Sequence, residues 1–322
     1  MRFWDRICCV AVVMTTLVAQ ALAQVYPSRP VRLVSAFPPG GPTDILARPI
    51  GEKLTESFGQ PFVIDFRTGA NGILGSDFVA KSAADGHTLL VIPGSFTTSP
   101  STQKSLPYDV LRDFTGVSPL ARGQILLITN PKLPVSNLKD LIAFAKANPG
   151  KLNYGSSGTG GSVHLGMEML NLVADIKMTH IPYKGAGPAL IDVIAGNADL
   201  MFIGASPAVP HIKTGKVRLL AAASPRRSAG FPDTPTVAET GFPNFEIGSN
   251  YGIIAAAATA RPIIARINAA IEKALSNADV RKFYIGSGVE PWWDQPEQYT
   301  AWLREDVARW FAVAKAINYQ PE

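Results

Sequence analysis

The chain has 322 residues, 47% of them hydrophobic, which is enough to bury two domain cores of ordinary size. Its net charge is +5, but the basic residues are scattered and Arg226-Arg227 is only a local pair, so the basic stripe that nucleic-acid binding needs is missing. The two cysteines, Cys8 and Cys9, sit near the N-terminus, so the rest of the chain has no route to a disulfide, a thiol nucleophile or a cysteine-ligated metal.

Residues 1–23 read as a cleaved export signal. Arg2 and Arg6 form a charged start, Ile7–Val18 is apolar but too short to span a bilayer, and Ala21-Leu22-Ala23 is a small-residue cleavage site. Without Arg2, Arg6 and Asp5 the net charge of +5 becomes +4. An exported protein without disulfides fits the periplasm of a Gram-negative bacterium.

Short apolar strands then alternate with helices. Val31–Phe37 predicts a strand and Thr43–Phe58 a helix, in which Pro49 predicts a kink or a later start. Phe62–Phe66 predicts a strand, Leu74–Ser82 a helix and Thr88–Ile92 a strand. Ile125–Thr129 predicts a strand and Leu138–Ala147 a helix ended by Asn148-Pro149-Gly150. Leu152–Tyr154 and Thr179–Pro182 predict short strands flanking a Gly161–Val173 helix, and Pro188 opens a helix stopping near Gly196. Leu200–Ile203 and Val217–Ala222 are strand-like, and Ser224–Phe245, rich in Pro, Gly, Ser and Thr, reads as a connection. Tyr251–Ala255 predicts a strand, Pro262–Leu275 a helix, and Pro296–Ile317 a last helix whose Tyr299, Trp302, Leu303, Trp310 and Phe311 match one buried face. The βαβα order predicts an α/β fold of two lobes, with ligands at the carboxyl ends of parallel strands.

Two glycine-rich strand-to-helix junctions stand out: RLVSAFPPGGPTDILAR (Arg32–Arg48) and LNYGSSGTGGSVHLGMEML (Leu152–Leu170). Each leaves backbone N–H groups unpaired at the positive end of a helix dipole, a ready site for a carboxylate or phosphate. His164 and Glu168, four residues apart, have the spacing of a metal-ligand pair, but no further ligand lies near them in sequence. No Gly-x-Ser-x-Gly elbow, P-loop lysine or complete Rossmann fingerprint is present. Ser156 or Ser157 with His164 or His180 is the only hydrolase constellation the sequence offers.

At these loops the chain resembles the TctC/Bug family, the periplasmic solute receptors of tripartite tricarboxylate transporters. The family pattern P-F-x-P-G-G-x-x-D-x-x-A-R is met by Ala36 through Arg48, and N-R-P-G-A-G-G by FRTGANG (Phe66–Gly72). DGHTLL (Asp85–Leu90), LPYDVLRDF (Leu106–Phe114), YGSSGTGGSVHL (Tyr154–Leu165), HIPYKGAGPAL (His180–Leu190), ADLMF (Ala198–Phe202), PHIKTGKVRLLA (Pro210–Ala221) and FPDTPTVAETG (Phe231–Gly241) follow in order.

The resemblance implies a Venus-flytrap (type II) periplasmic binding protein with a mixed, mostly parallel sheet in each lobe. Residues 24–120 and 248–322 are expected in lobe 1 and 121–247 in lobe 2. Lobes of this kind close on a small organic carboxylate held largely by backbone N–H groups and ordered waters. No enzyme activity, cofactor or metal is expected, and the chain is expected to act as a monomer with membrane permease subunits; a sensory role, docking on a membrane sensor kinase, is the alternative. The expected ligand contacts are Gly40, Gly41 and Thr43 of the first loop and Ser156, Ser157, Thr159 and Gly160 of the second, with Gly72, Ser95, Phe96, Tyr183 and Gly204 beside them. Phe37 is either pocket wall or core, His164 either braces its loop or touches the ligand, and Asp44 is expected to brace rather than bind. Family members that bind amino acids often carry an Asp after ADLMF; here Ile203 stands there, which points to a carboxylate without an amino group, with an apolar or aromatic body. YGIIAAAATARP (Tyr251–Pro262) departs from the family's A-P-A-G-T-P turn.

Overall fold

A computed structural model describes residues 26–224, 227, 231–243 and 245–321. The expected export signal lies outside the described residues. The backbone forms a ten-stranded mixed sheet in two halves, each with its own cores.

In the first half β1 (Val31–Ser35) lies between β2 (Phe62–Phe66) and β3 (Thr88–Ile92), parallel to both, with Leu33 opposite Ile64 and Leu89. Both faces of β1 and β3 are buried, which explains their near-continuous apolar sequences. Helix α1 (Pro42–Phe58) connects β1 to β2 and buries Leu46, Ile50 and Leu54. It runs through Pro49 without interruption, and it starts earlier than the sequence suggests. Packing offsets the bond lost at the proline: Ile50 and Leu54 are fully buried, and the Tyr284 hydroxyl donates to the Leu46 carbonyl at 2.8 Å.

Helices α2 (Ile73–Ala80) and α3 (Ser95–Thr102) follow β2 and β3. Helix α3 is not predicted by the sequence, because SFTTSPST has no apolar period and a poor helix composition. Tertiary contact holds it: all of its residues but Pro100 are buried, and Thr97 Oγ1 donates to Asp306 Oδ2 at 2.5 Å.

Strand β4 (Phe114–Thr129) has 16 residues, of which only Ile125–Thr129 is legible in the sequence. Gly116, Pro119 and Gly123 hide the rest, and the register slips twice around Pro119, which has no N–H to give. This strand joins the two halves. Up to Gln124 it pairs antiparallel with β9 (Gly248–Ala256), which also pairs with β3; from Ile125 it pairs with β7 (Leu200–Gly204) and β8 (Arg218–Ala222). The first crossing therefore falls at Gln124–Ile125, later than the 120/121 expectation.

The second half repeats the parallel arrangement. β5 (Asn153–Ser156) lies between β6 (Thr179–Pro182) and β7. Between the strands run α4 (Leu138–Ala147), α5 (Ser162–Ala174), α6 (Ala186–Ala195) and α7 (Ala205–Lys213). Helix α6 begins two residues before Pro188, and α7 has no counterpart among the predicted elements. The chain returns through β9 to α8 (Arg261–Ser276), α9 (Ala278–Gly286), β10 (Val289–Pro291) and α10 (Pro296–Ala316).

Helix α10 does not stay with the first half. Tyr299, Leu303 and Val307 pack with Phe96, Phe114 and Ile254, whereas Trp310 joins the second core, with Val313, Ile317 and Tyr319 against it. The C-terminal segment is thus a third connection between the lobes. Replacing Trp310, 2% exposed, by alanine should lower the unfolding free energy by about 3–5 kcal/mol, measured by denaturant titration.

Candidate functional site

A cavity of about 60 Å³, counted as space open to the centre of a water-sized sphere, lies between the halves. The first half contributes Phe37, Pro38, Gly41, Pro42, Thr43, Pro93, Gly94 and Ser95; Ile125, Ser157, Ser162, Val163, Ala186, Phe202, Ile203 and Gly204 face them, and Tyr251 closes one side. No Asp, Glu, Lys, Arg or His lines it among the described residues.

Five helices begin at this wall. The N-caps of α1, α3, α5, α6 and α7 are Gly41, Gly94, Gly161, Gly185 and Gly204, and none has a side-chain cap. Of the other helices, α4 and α9 are capped in the usual way, Asn137 accepting from Asp140 N and Asn277 from Asp279 N and Val280 N, whereas α2, α8 and α10 start at Gly72, Ala260 and Gln295 without a side-chain cap. Pro42, Pro188 and Pro207 carry no N–H and Phe96 N donates to the Pro93 carbonyl at 3.1 Å, but the N–H groups of Thr43, Ser95, Ser162, Val163 and Ala186 have no partner within their helices, and the helix dipoles add their positive ends to a wall free of formal charge. Such a wall binds anions through its backbone.

Of the residues expected to touch a ligand, Phe37, Gly41, Thr43, Ser95, Ser157 and Gly204 line the cavity. The others are not on its wall. Phe96 is 4% exposed and packs against Tyr108 and Phe114, and it borders, with Gly72, a cavity of only about 10 Å³ behind Phe37. The Tyr183 hydroxyl donates to Asp192 Oδ2 at 2.7 Å, and burial followed by that carboxylate pushes it up to about 12. Gly40 lies behind the first loop, where its N–H donates to Asp44 Oδ2 at 2.9 Å; Asp44 is itself paired with Arg48. The first loop is also pinned by Ser35, whose hydroxyl donates to the Phe37 carbonyl at 3.1 Å and lies 3.2 Å from Thr43 Oγ1.

Ser156, Thr159 and Gly160 of the second loop, and His164 in the helix after it, are turned away from the cavity wall. Ser156 is fully buried; its Oγ accepts from Gly158 N at 3.2 Å and lies 2.6 Å from His180 Nε2. Its own proton has two acceptors in reach, the Gly158 carbonyl at 3.1 Å and His180 Nε2, and the His180 tautomer sets which one it takes. His164 Nδ1 accepts from Gly160 N at 3.0 Å, so this ring is neutral and carries its proton on Nε2. The two imidazoles stack with centroids 3.9 Å apart, and Tyr154 stacks on His180 while donating to Glu168. The Ser–His contact therefore braces a loop; it presents no nucleophile to the cavity. The His164–Glu168 pair is likewise engaged, by Gly160 and Tyr154.

Gly160 is a glycine because of the opposite lobe. Its φ is +75°, and a Cβ there would come within 2.7 Å of Thr102 Oγ1. The cavity wall also carries Pro93, Ile125, Val163, Phe202 and Tyr251, which the sequence does not mark as site residues; nothing in their sequence context separates them from core.

Burial lowers both imidazoles to about 4, helped at His180 by the adjacent His164. In the unfolded chain a histidine protonates near pH ~6.5. Between these values the unfolded state binds more protons, so their contribution to stability is complete above pH ~6.5 and is lost as pH falls toward 4. His164→Asn keeps an acceptor for Gly160 N, and His180→Gln keeps a hydrogen-bonding partner for Ser156 in either direction. The double variant should show a flatter fall of the thermal midpoint between pH 6.5 and 4 than the parent.

A two-lobed α/β fold with a cavity between its lobes, walled by helix starts, is the architecture of a solute-binding receptor. Residues 46–319 match the family described as tripartite tricarboxylate transporter family receptor, and the chain belongs to it. It is 36% identical to Protein BugT of Bordetella pertussis, over 93% of this chain and 92% of that one. A solved R. palustris protein with adipate superposes at a TM-score of 0.89 and 33% identity, over 92% of this chain and 100% of that one. MatC of Rhodopseudomonas palustris with bound malate superposes at 0.84 and 33% identity, over 89% and 99%. The protein is a receptor and not an enzyme.

Proposed function

We propose that this chain captures, in the periplasm, a small organic carboxylate that carries no amino group, and presents it to the membrane permease subunits of a tripartite transporter as a closed monomer. The five uncapped helix starts on a wall without charged side chains are the observation that carries this reading. A carboxylate there takes charge-assisted hydrogen bonds worth about 1.5–3 kcal/mol each, with no counter-charge to desolvate. The same wall works against an ammonium group. Ile203, 1% exposed, stands on it, no carboxylate faces the cavity, and five positive dipole ends converge there. Phe37, Pro38, Ile125 and Phe202 supply an apolar lining for the body of the ligand. The relatives solved with adipate and malate bind carboxylates of this kind.

Matched pairs test the reading: glutarate against glutamate, and succinate against aspartate, with citrate, benzoate and phthalate alongside, by thermal shift and then calorimetry. The member without the amine should stabilise the protein, by about 2.7 kcal/mol at 100 times its dissociation constant. Glutamate binding as tightly as glutarate would sink the proposal. Ser157→Asp, which puts a fixed negative charge on the wall, should weaken any bound carboxylate at least ~30-fold, the cost of an unpaired like charge at a desolvated site.

A further inference from the structure

The geometry points to Asn71 and Thr98 as positioning residues that latch the two lobes together from behind the ligand-binding loop, so that they set affinity without touching the ligand. The inference rests on the receptor function and not on which carboxylate is bound.

The second loop faces the cavity with Ser157, while its Thr159 and Gly160 carbonyls meet donors of the first lobe. Asn71 Nδ2 donates to the Thr159 carbonyl at 3.2 Å across the lobe boundary. Thr98 Oγ1 shares its proton between the Ser95 carbonyl of its own helix, at 2.9 Å, and the Gly160 carbonyl of the other lobe, at 3.0 Å. Neither residue lines the ligand cavity. Both bonds join one lobe to the other, so both exist only while the lobes are together, and closure is the only event they reward.

Asn71 is well placed for this role. The family pattern N-R-P-G-A-G-G has glycine at this position, and here FRTGANG has asparagine. The backbone needs a left-handed residue, with φ 49° and ψ 36°. Asparagine tolerates that conformation better than most side chains and adds a donor that glycine lacks. Opposite it, the chain leaves room: a Cβ on Gly158 would lie 3.1 Å from Asn71 Oδ1, and one on Gly161 3.3 Å from Asn71 Nδ2. The loop glycines thus seat a side chain from the other lobe. Thr98 is fully buried, so water does not compete for its hydroxyl.

Removing one such bond should cost the closed state roughly two- to ten-fold, the net worth of one hydrogen bond. Asn71→Gly restores the pattern residue and suits a positive φ, so it does not threaten the fold; Thr98→Val removes the hydroxyl at constant volume, and Thr98→Ser restores it. Two readouts are needed. Calorimetry with glutarate, succinate and citrate should show N71G and T98V weakening every one of them that binds by the same factor, with T98S near the parent. A change in the ratios between ligands would instead mean direct contact and would overturn the latch.

The second readout needs no ligand. With Cys8 and Cys9 replaced by serine, dyes on Glu56→Cys and Lys177→Cys report the lobe separation without background thiols. The closed fraction of ligand-free protein should fall in N71G and T98V and recover in T98S; distributions identical to the parent's overturn the proposal. If none of the carboxylates binds, the ligand reading fails while this distribution still decides the latch.

Discussion

Five helices of this protein start at one place, and no side chain caps any of them. An uncapped helix start turned away from bulk water is unfavourable unless something else meets its N–H groups. Away from this wall Asn137 and Asn277 cap their helices while Gly72, Ala260 and Gln295 begin theirs without a side-chain cap, so what sets the wall apart is that five such starts meet there. Much else follows from it. Glycine at each cap leaves out the Ser, Thr, Asp or Asn oxygen that would answer the N–H groups a ligand is to answer. The wall must also lack acidic side chains, and the one carboxylate in the first turns of these helices, Asp44, is turned back onto Gly40 and Arg48.

A site made of backbone has no shape of its own, so side chains behind it must supply one. The first loop is held by Ser35 and Asp44, the second by Ser156, His164 and His180. Both imidazoles are kept neutral by burial, as bracing requires, because a protonated His164 has no lone pair at Nδ1 to offer Gly160. The polar residues singled out around the loops thus divide into a few that face the cavity and a larger group that fixes the backbone. The second group carries the shape on which anion binding depends.

The connections between the lobes follow a similar logic. Strand β4 crosses the boundary beside the segment that leads into β9, whose Ile247 N–H donates to the Ala223 carbonyl, and α10 spans it with Tyr299 in one core and Trp310 in the other. A strand pair resists stretching but bends, whereas a helix anchored in both cores restricts how far the lobes can swing. Closure is then a limited motion whose end state is specified by the contacts of Asn71 and Thr98 as well as by a ligand.

Much of this is legible in the residues, and the failures have identifiable causes. Apolar runs such as Val31–Ser35 and Thr88–Ile92, buried on both faces, announce their strands. Helix α3 is invisible because eight residues of Ser, Thr, Phe and Pro carry no period, and the first half of β4 is hidden by Gly116, Pro119 and Gly123. Ser156 and Ser157 are adjacent and chemically identical, yet one is fully buried against His180 and the other lies on the cavity wall. Alternation along an extended segment says that they point opposite ways; it does not say which way the ligand lies.

By itself the sequence determined the local units: glycine-rich turns between strands and helices, the lack of an acidic partner at Ile203, and a family pattern along the chain. These are properties of neighbours in sequence, where periodicity and turn chemistry act. Tertiary structure alone decided that five helix starts meet rather than two, that Phe96 and Tyr183 face away, and that the glycines of the second loop make room for Asn71 and Thr102. Hydrophobic patterning specifies which face of an element is buried; strand order and lobe closure choose what that face, and the helix start beside it, will meet.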